Sequence, residues 1–455
     1  MKINNDNIAV KSVTNKFTVT DEMSQFMDLI ENTSDCVFLT GKAGTGKSSL
    51  LRYYLSTTYK NVVVAAPTGV AAVNIGGVTL HSLFQLPFGP YIPNTDILGN
   101  VKDALPSYKY SKEKVDIINN MDLLVIDEVS MLRADVLDAI NDVLCHVRRN
   151  QKPFGGIQVL FIGDLYQLPP VINSSEWNLI STVYETPFFF SAQVLKHVQL
   201  HMVSLSHVFR QSDDRFILLL NEIRDGQLSD SSLILLNSLY HQNFNETDGF
   251  IMLTSHNAIA NRINSSRLEK LKGQQKTFMA SISGNFSGSA MPAEPELSLK
   301  IGARVMLLVN DNEMHLYHNG SIAVVTELKD KSICVQLEDN GVTIEVSPHK
   351  WTSNSYSFDK KTKRMKATEI GSFKQLPVRL AWSVTIHKSQ GMTFDRVIVD
   401  AEHSFSHGQV YVALSRATDM EHLILSSPIK KDCLSVDTRI LNFIKSMEML
   451  QQTNR

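Results

Sequence analysis

The sequence predicts an α/β protein with two parallel-sheet units and a small β-rich insertion in the second. Three observations carry this. Short apolar runs alternate with helical patterns through the first two hundred residues: VFLT (37–40), NVVVAA (61–66), LLVIDE (123–128) and IQVLFIGD (157–164). Such runs, apolar without alternation, belong to strands buried on both faces, as a parallel sheet requires. The same texture returns in FIMLT (250–254), RVIVD (396–400) and HLILSS (422–427). Between these, ARVMLLVN, SIAVVTEL, SICVQLE and VTIEVS alternate or run β-branched with Gly and Asn-Gly breaks, the pattern of a small antiparallel barrel or sheet.

In chain order, residues 1–200 form the first unit, interrupted by an irregular segment at about 84–114 rich in Phe, Pro and Tyr. Residues 201–300 and 375–455 form the second unit, and 301–374 the insertion. In the second unit a helix over Asp213–Asp225 gathers Phe216, Leu219, Leu220 and Ile223 on one face and is closed by Gly226. The stretches GNFSGSAMPAEPE (284–296) and DKKTKRMK (359–366) read as loops around the insertion, the second as a solvated basic loop or, alternatively, a clamp on nucleic acid.

A chain of 455 residues is too long for one small domain and long enough to fold without disulfides or a structural metal. With 43% hydrophobic and 20% charged residues it is neither collagen-like nor wholly disordered. Lys plus Arg (44) nearly balances Asp plus Glu (46), so no global positive field exists and any nucleic-acid binding must use a local groove. Cys36, Cys145, Cys334 and Cys433 are far apart and form no CxxC pair, which reads as buried reduced thiols. Residues 1–16 contain no continuous apolar core of signal-peptide length and no stretch of about 18 apolar residues occurs, so we expect an intracellular, reducing compartment and no membrane partner.

GKAGTGKS (41–48) has the spacing of a phosphate-binding loop, with a strand before it and the helical SSLLRYYL after it. The candidate nucleotide-binding segment runs from Gly41 through Lys42, Ala43, Gly44, Thr45, Gly46, Lys47 and Ser48 to Ser49. Its glycines let backbone N–H groups converge on phosphate oxygens, Lys47 supplies a point charge at the β and γ phosphates, and the Ser48 hydroxyl can ligate Mg²⁺. In LLVIDE the acids fall at a strand tip, where ligands bind in a parallel sheet: Asp127 would hold Mg²⁺ and Glu128 would orient the attacking water. Gln167 in GDLYQLPPV (163–171) could reach a γ-phosphate or its water, or serve only as a turn residue. Phe84, Phe88 and Tyr91 offer either a stacking platform and strand-splitting wedge or a small satellite core. Trp351 reads as barrel core, with base stacking as the alternative.

Together GKAGTGKS, APTGVAAVNIGGVTLHS (66–82), VIDEVSM (125–131), KPFGGIQVLFIGDLYQLPPV (152–171), VFRQSD (208–213), LAWSVTIHKSQGMTFD (380–395) and VYVALSRAT (410–418) resemble the ordered helicase motifs of the petite-integration-frequency family of DNA helicases, in superfamily 1B. The resemblance implies two RecA-like units with an SH3-like insertion and ATP with Mg²⁺ between them. It implies that Arg210 and Arg416 of the second unit face the phosphates and that Gln390 and Gly391 link the nucleotide cleft to the DNA groove. It implies a groove lined by Pro67, Thr68, His81, Ser82, Phe84, His256, Asn257, Thr385, His387 and Lys388. One departure stands out: where the family carries an adenine-reading glutamine, this chain has Met23, with Gln25 the nearest substitute.

The function so implied is an ATP-dependent DNA helicase that moves 5′ to 3′ on single-stranded DNA and unwinds forked or overhang duplexes, acting as a monomer. Alternatives are a RecD-like recombination subunit and a DNA-stimulated ATPase that remodels nucleoprotein without unwinding. A nucleotide-gated scaffold ranks last, because the catalytic set is complete. Despite the net charge of -2, affinity for single-stranded DNA should fall steeply with salt. At roughly -0.7 per neutralised phosphate, a titration should give a log–log slope of about -2 to -5. A flat dependence would rule out a phosphate-tracking groove.

Overall fold

The computed structural model describes residues 19–86, 89–93, 110–209, 211, 213–241, 249–286, 291–311, 314, 316–359, 364–401 and 408–453. In the first unit, helix α1 (Asp21–Asn32) precedes β1 (Cys36–Gly41), α2 (Lys47–Thr57), β2 (Val62–Ala66), α3 (Gly69–Asn74), β3 (Val78–Thr79) and α4 (Leu80–Phe84). Then come α5 (Lys112–Asn120), β4 (Leu123–Ile126), α6 (Ala134–Arg148), β5 (Gln158–Ile162), α7 (Ser174–Ile180) and β6 (Leu200–Leu205). The strands form one parallel sheet in the order β3-β2-β4-β5-β1-β6.

Both faces of this sheet are covered, which is why its strands are apolar without alternation. Along β1, Val37 and Leu39 join Met23, Phe26, Leu50 and Tyr54 of α1 and α2, whereas Cys36 and Phe38 join Leu137, Ile140 and Leu144 of α6. Burial pushes the Cys36 thiol up to about 12. All four cysteines are free thiols, but only Cys36 is buried; the other three are half-buried. The described part of the irregular segment is tied to α6: Tyr91 N–H donates to Asp135 (2.9 Å) and its hydroxyl to Asp142.

Helices α8 (Asp214–Arg224) and α9 (Asp230–Asn237) open the next part of the chain, followed by β7 (Ile251–Thr254) and α10 (Asn257–Lys270). Asp213 caps α8 by accepting from the N–H groups of Arg215 and Phe216. The β-rich strands come next: β8 (Lys276–Met279), β9 (Ser281–Gly284), β10 (Glu296–Leu299), β11 (Arg304–Leu307), β12 (Ile322–Leu328), β13 (Ile333–Leu337), β14 (Thr343–Val346), β15 (His349–Asp359), β16 (Arg364–Gln375) and β17 (Val378–Leu380). Then follow β18 (Ser383–Thr385), β19 (Val397–Val399), α11 (Gln409–Leu414), β20 (Leu423–Leu425) and α12 (Thr438–Thr453).

The second parallel sheet has the order β18-β7-β19-β20. Antiparallel strands make up the rest: a five-stranded sheet β14-β13-β12-β11-β17, a pair β10-β8, and β15-β16-β9. The β-rich part therefore takes in strands on both sides of 301–374. Strand β15 packs against α5 of the first unit, and Trp351 is buried against Phe373. Among the described residues, no helix is long and apolar enough to cross a membrane.

Helix α12 does not stay with the second sheet. It lies on the first one, where Phe443 stacks on Phe190 (centroids 4.4 Å apart, planes at 8°) and meets Phe189 edge-on at 6.1 Å. Gln451 donates to the carbonyl of Met202 in β6. Phe443→Ala should therefore destabilise the fold by about 2 to 3 kcal/mol, below a fully buried Phe truncation because the ring is half-buried. Urea unfolding measures this, and an unchanged midpoint would mean that the helix does not staple the first unit.

Candidate active site and nucleic-acid groove

The phosphate loop leaves the carboxyl end of β1, where ligands bind in open α/β sheets. Gly44 (φ 82°) and Gly46 (φ 84°) adopt left-handed backbone, and a β-carbon at Gly41 would stand 2.8 Å from both the Leu205 carbonyl and the Thr45 hydroxyl. Lys47 folds back into the loop and donates to the carbonyls of Gly41 (2.7 Å) and Lys42 (3.0 Å). Burial pulls its amino group below the usual lysine range, against the attraction of Asp164, Glu128 and Asp127. Ser48 and Ser49 are exposed at the start of α2.

Asp127 and Glu128 follow β4. Asp127 is buried and accepts from the Glu128 N–H at 2.9 Å. Glu128 takes left-handed backbone (φ 52°), which turns its side chain toward the second unit. There Gln390 donates Nε2 to it at 2.8 Å and also reaches the side-chain Oε1 of Gln167 at 3.4 Å. Burial, then Asp127, push the Glu128 carboxyl up to about 7, with Lys47 and Arg416 pulling the other way. Asp127 is likewise raised by burial.

Three residues differ from their sequence-derived placement. Arg416, expected to face the phosphates, is 1% exposed, and its guanidinium donates to Val412 O (2.9 Å), Ser415 Oγ (2.8 Å) and Met392 O (3.3 Å). Phe84 is 0% exposed because its helix turns it into the main core, so it offers no face to a base. Thr385 is 3% exposed within β18, where sheet neighbours cover it. Arg210 and Phe88, as well as Lys360 to Lys363 of the basic loop, lie outside the described residues.

The remaining groove candidates follow parallel strands or cap helices. Pro67 and Thr68 follow β2, and Thr68 caps α3 through the Ala71 N–H. His81 and Ser82 open α4, His256 and Asn257 follow β7, and His387 with Lys388 follows β18. Ser82, His256, Asn257 and Lys388 are exposed. His81 and His387 are half-buried and held below the usual histidine range by burial. Gly391, exposed beside Gln390, has φ 79°.

Motif spacing did not single out four contributors. Phe209 is 52% exposed, donates its N–H to Gly44 O at 2.9 Å, and sets its ring 3.7 Å from where a Gly46 β-carbon would lie. Its place directly before Arg210 in VFRQSD was the available signal. Asp164, Arg224 and Tyr411 converge on the phosphate loop, and a buried acid at a strand tip was the only sequence hint. Met23, where a base-reading glutamine was expected, is buried under the first sheet, while Gln25 is exposed on α1.

The PIF1-like helicase profile matches residues 18–233, and that of the UvrD-like helicase C-terminal domain matches 380–424. The chain is 30% identical to the ATP-dependent DNA helicase Pif1 of Campylobacter jejuni over 442 residues, covering 91% of this chain and 96% of that one. The chain belongs to the PIF1-like helicase family. It spans about half (49%) of another relative, the ATP-dependent DNA helicase PIF7 of Trypanosoma brucei, at 30% identity over 97% of this chain. Among solved structures, Bacteroides sp Pif1 in complex with ADP-AlF4 is 40% identical, with TM-score 0.88 over 95% of this chain and 97% of that one. Bacteroides Pif1 bound to single-stranded DNA, also 40% identical over 94% and 97% of the two chains, gives 0.67.

If Glu128 orients the attacking water, as the sequence leads one to expect, it does so as the carboxylate, and protonation below about 7 should switch it off. The expected outcome is a kcat/KM for ATP that rises with pH through an ascending limb centred near 7 in the free enzyme. In Glu128→Gln the limb should vanish, with hydrolysis lost and nucleotide binding retained. A pH-independent rate between 6 and 8 (about one unit either side of that midpoint) would contradict this role.

Proposed function

We propose that this chain, an ATP-dependent DNA helicase by family, moves 5′ to 3′ along single-stranded DNA as its two units alternately close on and release one nucleotide. The observation that carries this reading is the 2.8 Å bond from Gln390 of the second unit to Glu128 beside the phosphate loop of the first. A residue that touches the water-positioning acid from across the cleft makes hydrolysis sensitive to closure. The units are residues 1–200, and 201–300 with 375–455, with 301–374 inserted. Besides the cleft itself and the packing of β15 on α5, the strands at 276–299 and helix α12 make structural contacts across these divisions.

In this reading Lys47 exchanges its loop carbonyls for phosphate oxygens, and Phe209 offers its ring to the base. Ser48 and Asp127 would hold Mg²⁺, which neutralises charge on the β and γ phosphates when bound. Two adjoining carboxylates, both raised by burial, suit a divalent cation. Pro67, Thr68, His81, Ser82, His256, Asn257, His387 and Lys388 would follow the DNA backbone with hydroxyls, amides and few cations, a set that carries little base information. The direction follows from family membership. We further propose a monomer working inside the cell on forked or overhang duplexes.

ATP hydrolysis with and without single-stranded DNA, followed by unwinding of duplexes bearing a 5′ or a 3′ overhang, tests the proposal. DNA-stimulated turnover with strand separation from the 5′ overhang is expected, and Lys47→Ala should abolish both while remaining folded. Turnover without strand separation would favour nucleoprotein remodelling, and a preference for the 3′ overhang would reverse the direction.

A further inference from the structure

Asp164, at the end of β5, joins two chains of hydrogen bonds. It is 1% exposed. From the second unit, Arg224 donates Nη2 to it at 3.3 Å and Tyr411 donates its hydroxyl at 3.3 Å. The Tyr411 hydroxyl also accepts the backbone N–H of Ala43 at 3.3 Å, so it stands between the phosphate loop and Asp164. From the first unit, Gln167 donates Nε2 to Asp164 at 3.4 Å, and the same glutamine meets Gln390, the donor to Glu128. One buried carboxylate thus connects a phosphate-loop N–H at one end with the water-positioning acid at the other, and two of its four side-chain and main-chain donors come from across the cleft.

Arg224 is suited to its place by shape as well as charge. Its guanidinium lies 4.0 Å over the Tyr166 ring while it pairs with Asp164. Burial is the largest single influence and works against its charge, but Asp164, Tyr411, Tyr166 and Asp225 together outweigh it and hold the guanidinium above the usual arginine range. Tyr411 is buried, so its hydroxyl has no solvent alternative to these two partners.

We propose that Arg224 and Tyr411 are positioning residues for hydrolysis, acting through Asp164 to hold the Ala43 wall of the phosphate loop and the Gln167 amide in the geometry that cleft closure requires. The proposal rests on the nucleotide reading above and adds to it the residues that transmit closure. It separates binding from turnover. Removing the Tyr411 hydroxyl frees the Ala43 N–H for a phosphate oxygen, so nucleotide affinity should hold. The second unit, however, loses its grip on the loop and on Asp164, and misplaced reacting groups slow turnover.

The test is steady-state ATP hydrolysis with saturating single-stranded DNA by the full chain and by Tyr411→Phe, which keeps the ring and its packing. The expected result is a kcat lower by about 10- to 100-fold, with KM for ATP unchanged or lower and the thermal midpoint unchanged. Arg224→Lys keeps the charge but loses the stacked fork, and it should show the same split. The double variant should fall short of the product of the single effects, because both act through Asp164. An unaltered kcat in Tyr411→Phe, a matching rise in KM, or a lowered thermal midpoint would overturn the proposal. If the unaltered chain hydrolyses no ATP with DNA, the nucleotide reading itself fails, a result distinct from normal turnover in both variants.

Discussion

A carboxylate taken out of water must be surrounded by donors, and at the centre of this molecule that requirement falls on Asp164. Two of its partners, the Tyr166 N–H and the Gln167 amide, come from its own loop, and two, Arg224 and Tyr411, come from the second unit. Breaking a buried ion pair by removing one partner costs about 3 to 5 kcal/mol, because the other charge is left uncompensated. The two units are therefore not free to pack in any orientation that brings their apolar surfaces together. Only those that return Arg224 and Tyr411 to Asp164 avoid stranding its charge, and these same orientations bring Gln390 to Glu128. The α12 helix adds a second link, from the end of the chain back to β6, the strand next to β1 and its phosphate loop.

Around the phosphate loop, the ionisable groups are displaced in opposite senses. The amino group of Lys47 is lowered by burial, and the carboxyls of Asp127 and Glu128 are raised by it. Each shift means that the charged form is undersolvated. Phosphate oxygens beside Lys47 and a divalent cation beside the acids would supply the missing counter-charges, and each would move its neighbours back toward ordinary ionisation. A site arranged in this way is penalised while empty, and its undersolvated charges would be relieved by an anionic ligand beside Lys47 and a cation beside the acids.

Two kinds of strand were legible in the sequence: the apolar runs buried on both faces, and the alternating or β-branched segments that form β11 to β14. β2, β4, β5, β7, β19 and β20 fall within apolar runs visible without any partner, because a parallel strand covered on two sides has few polar positions to blur it, and β1 extends one residue beyond VFLT at each end. β6 reads LHMVSL and β18 only SVT, too mixed or too short to stand out. Of the motif residues, Lys47, Asp127, Glu128, Gln167 and Gln390 gather around the phosphate loop, since their places depend on local chain geometry. Phe84, Thr385 and Arg416 are buried instead, because their surroundings depend on which face of an element meets the core. Motif spacing passed over Asp164, Arg224 and Tyr411 because their relation is set by contacts 60 and 247 residues apart in the chain. The return of α12 to the first sheet was hidden for the same reason: a half-apolar helix does not announce which surface it covers.

Arg416 shows how a motif arginine can organise the elements that flank a site. Its guanidinium gathers the carbonyls of Val412, Ser389 and Met392 and the hydroxyl of Ser415. Val412 belongs to α11, whereas Ser389 and Met392 bracket the turn that carries Gln390 and Gly391. The planar fork therefore staples the helix that presents Tyr411 to the turn that presents Gln390, and a permanently charged group with several fixed donors suits such a cluster of carbonyls. A lysine in its place would have fewer donors in a less rigid arrangement. Its charge is also felt at Glu128, where it favours the carboxylate. Of the three side chains by which the second unit reaches the site, Arg224, Tyr411 and Gln390, Arg416 holds the last two in register, so the distance between them is set inside the second unit.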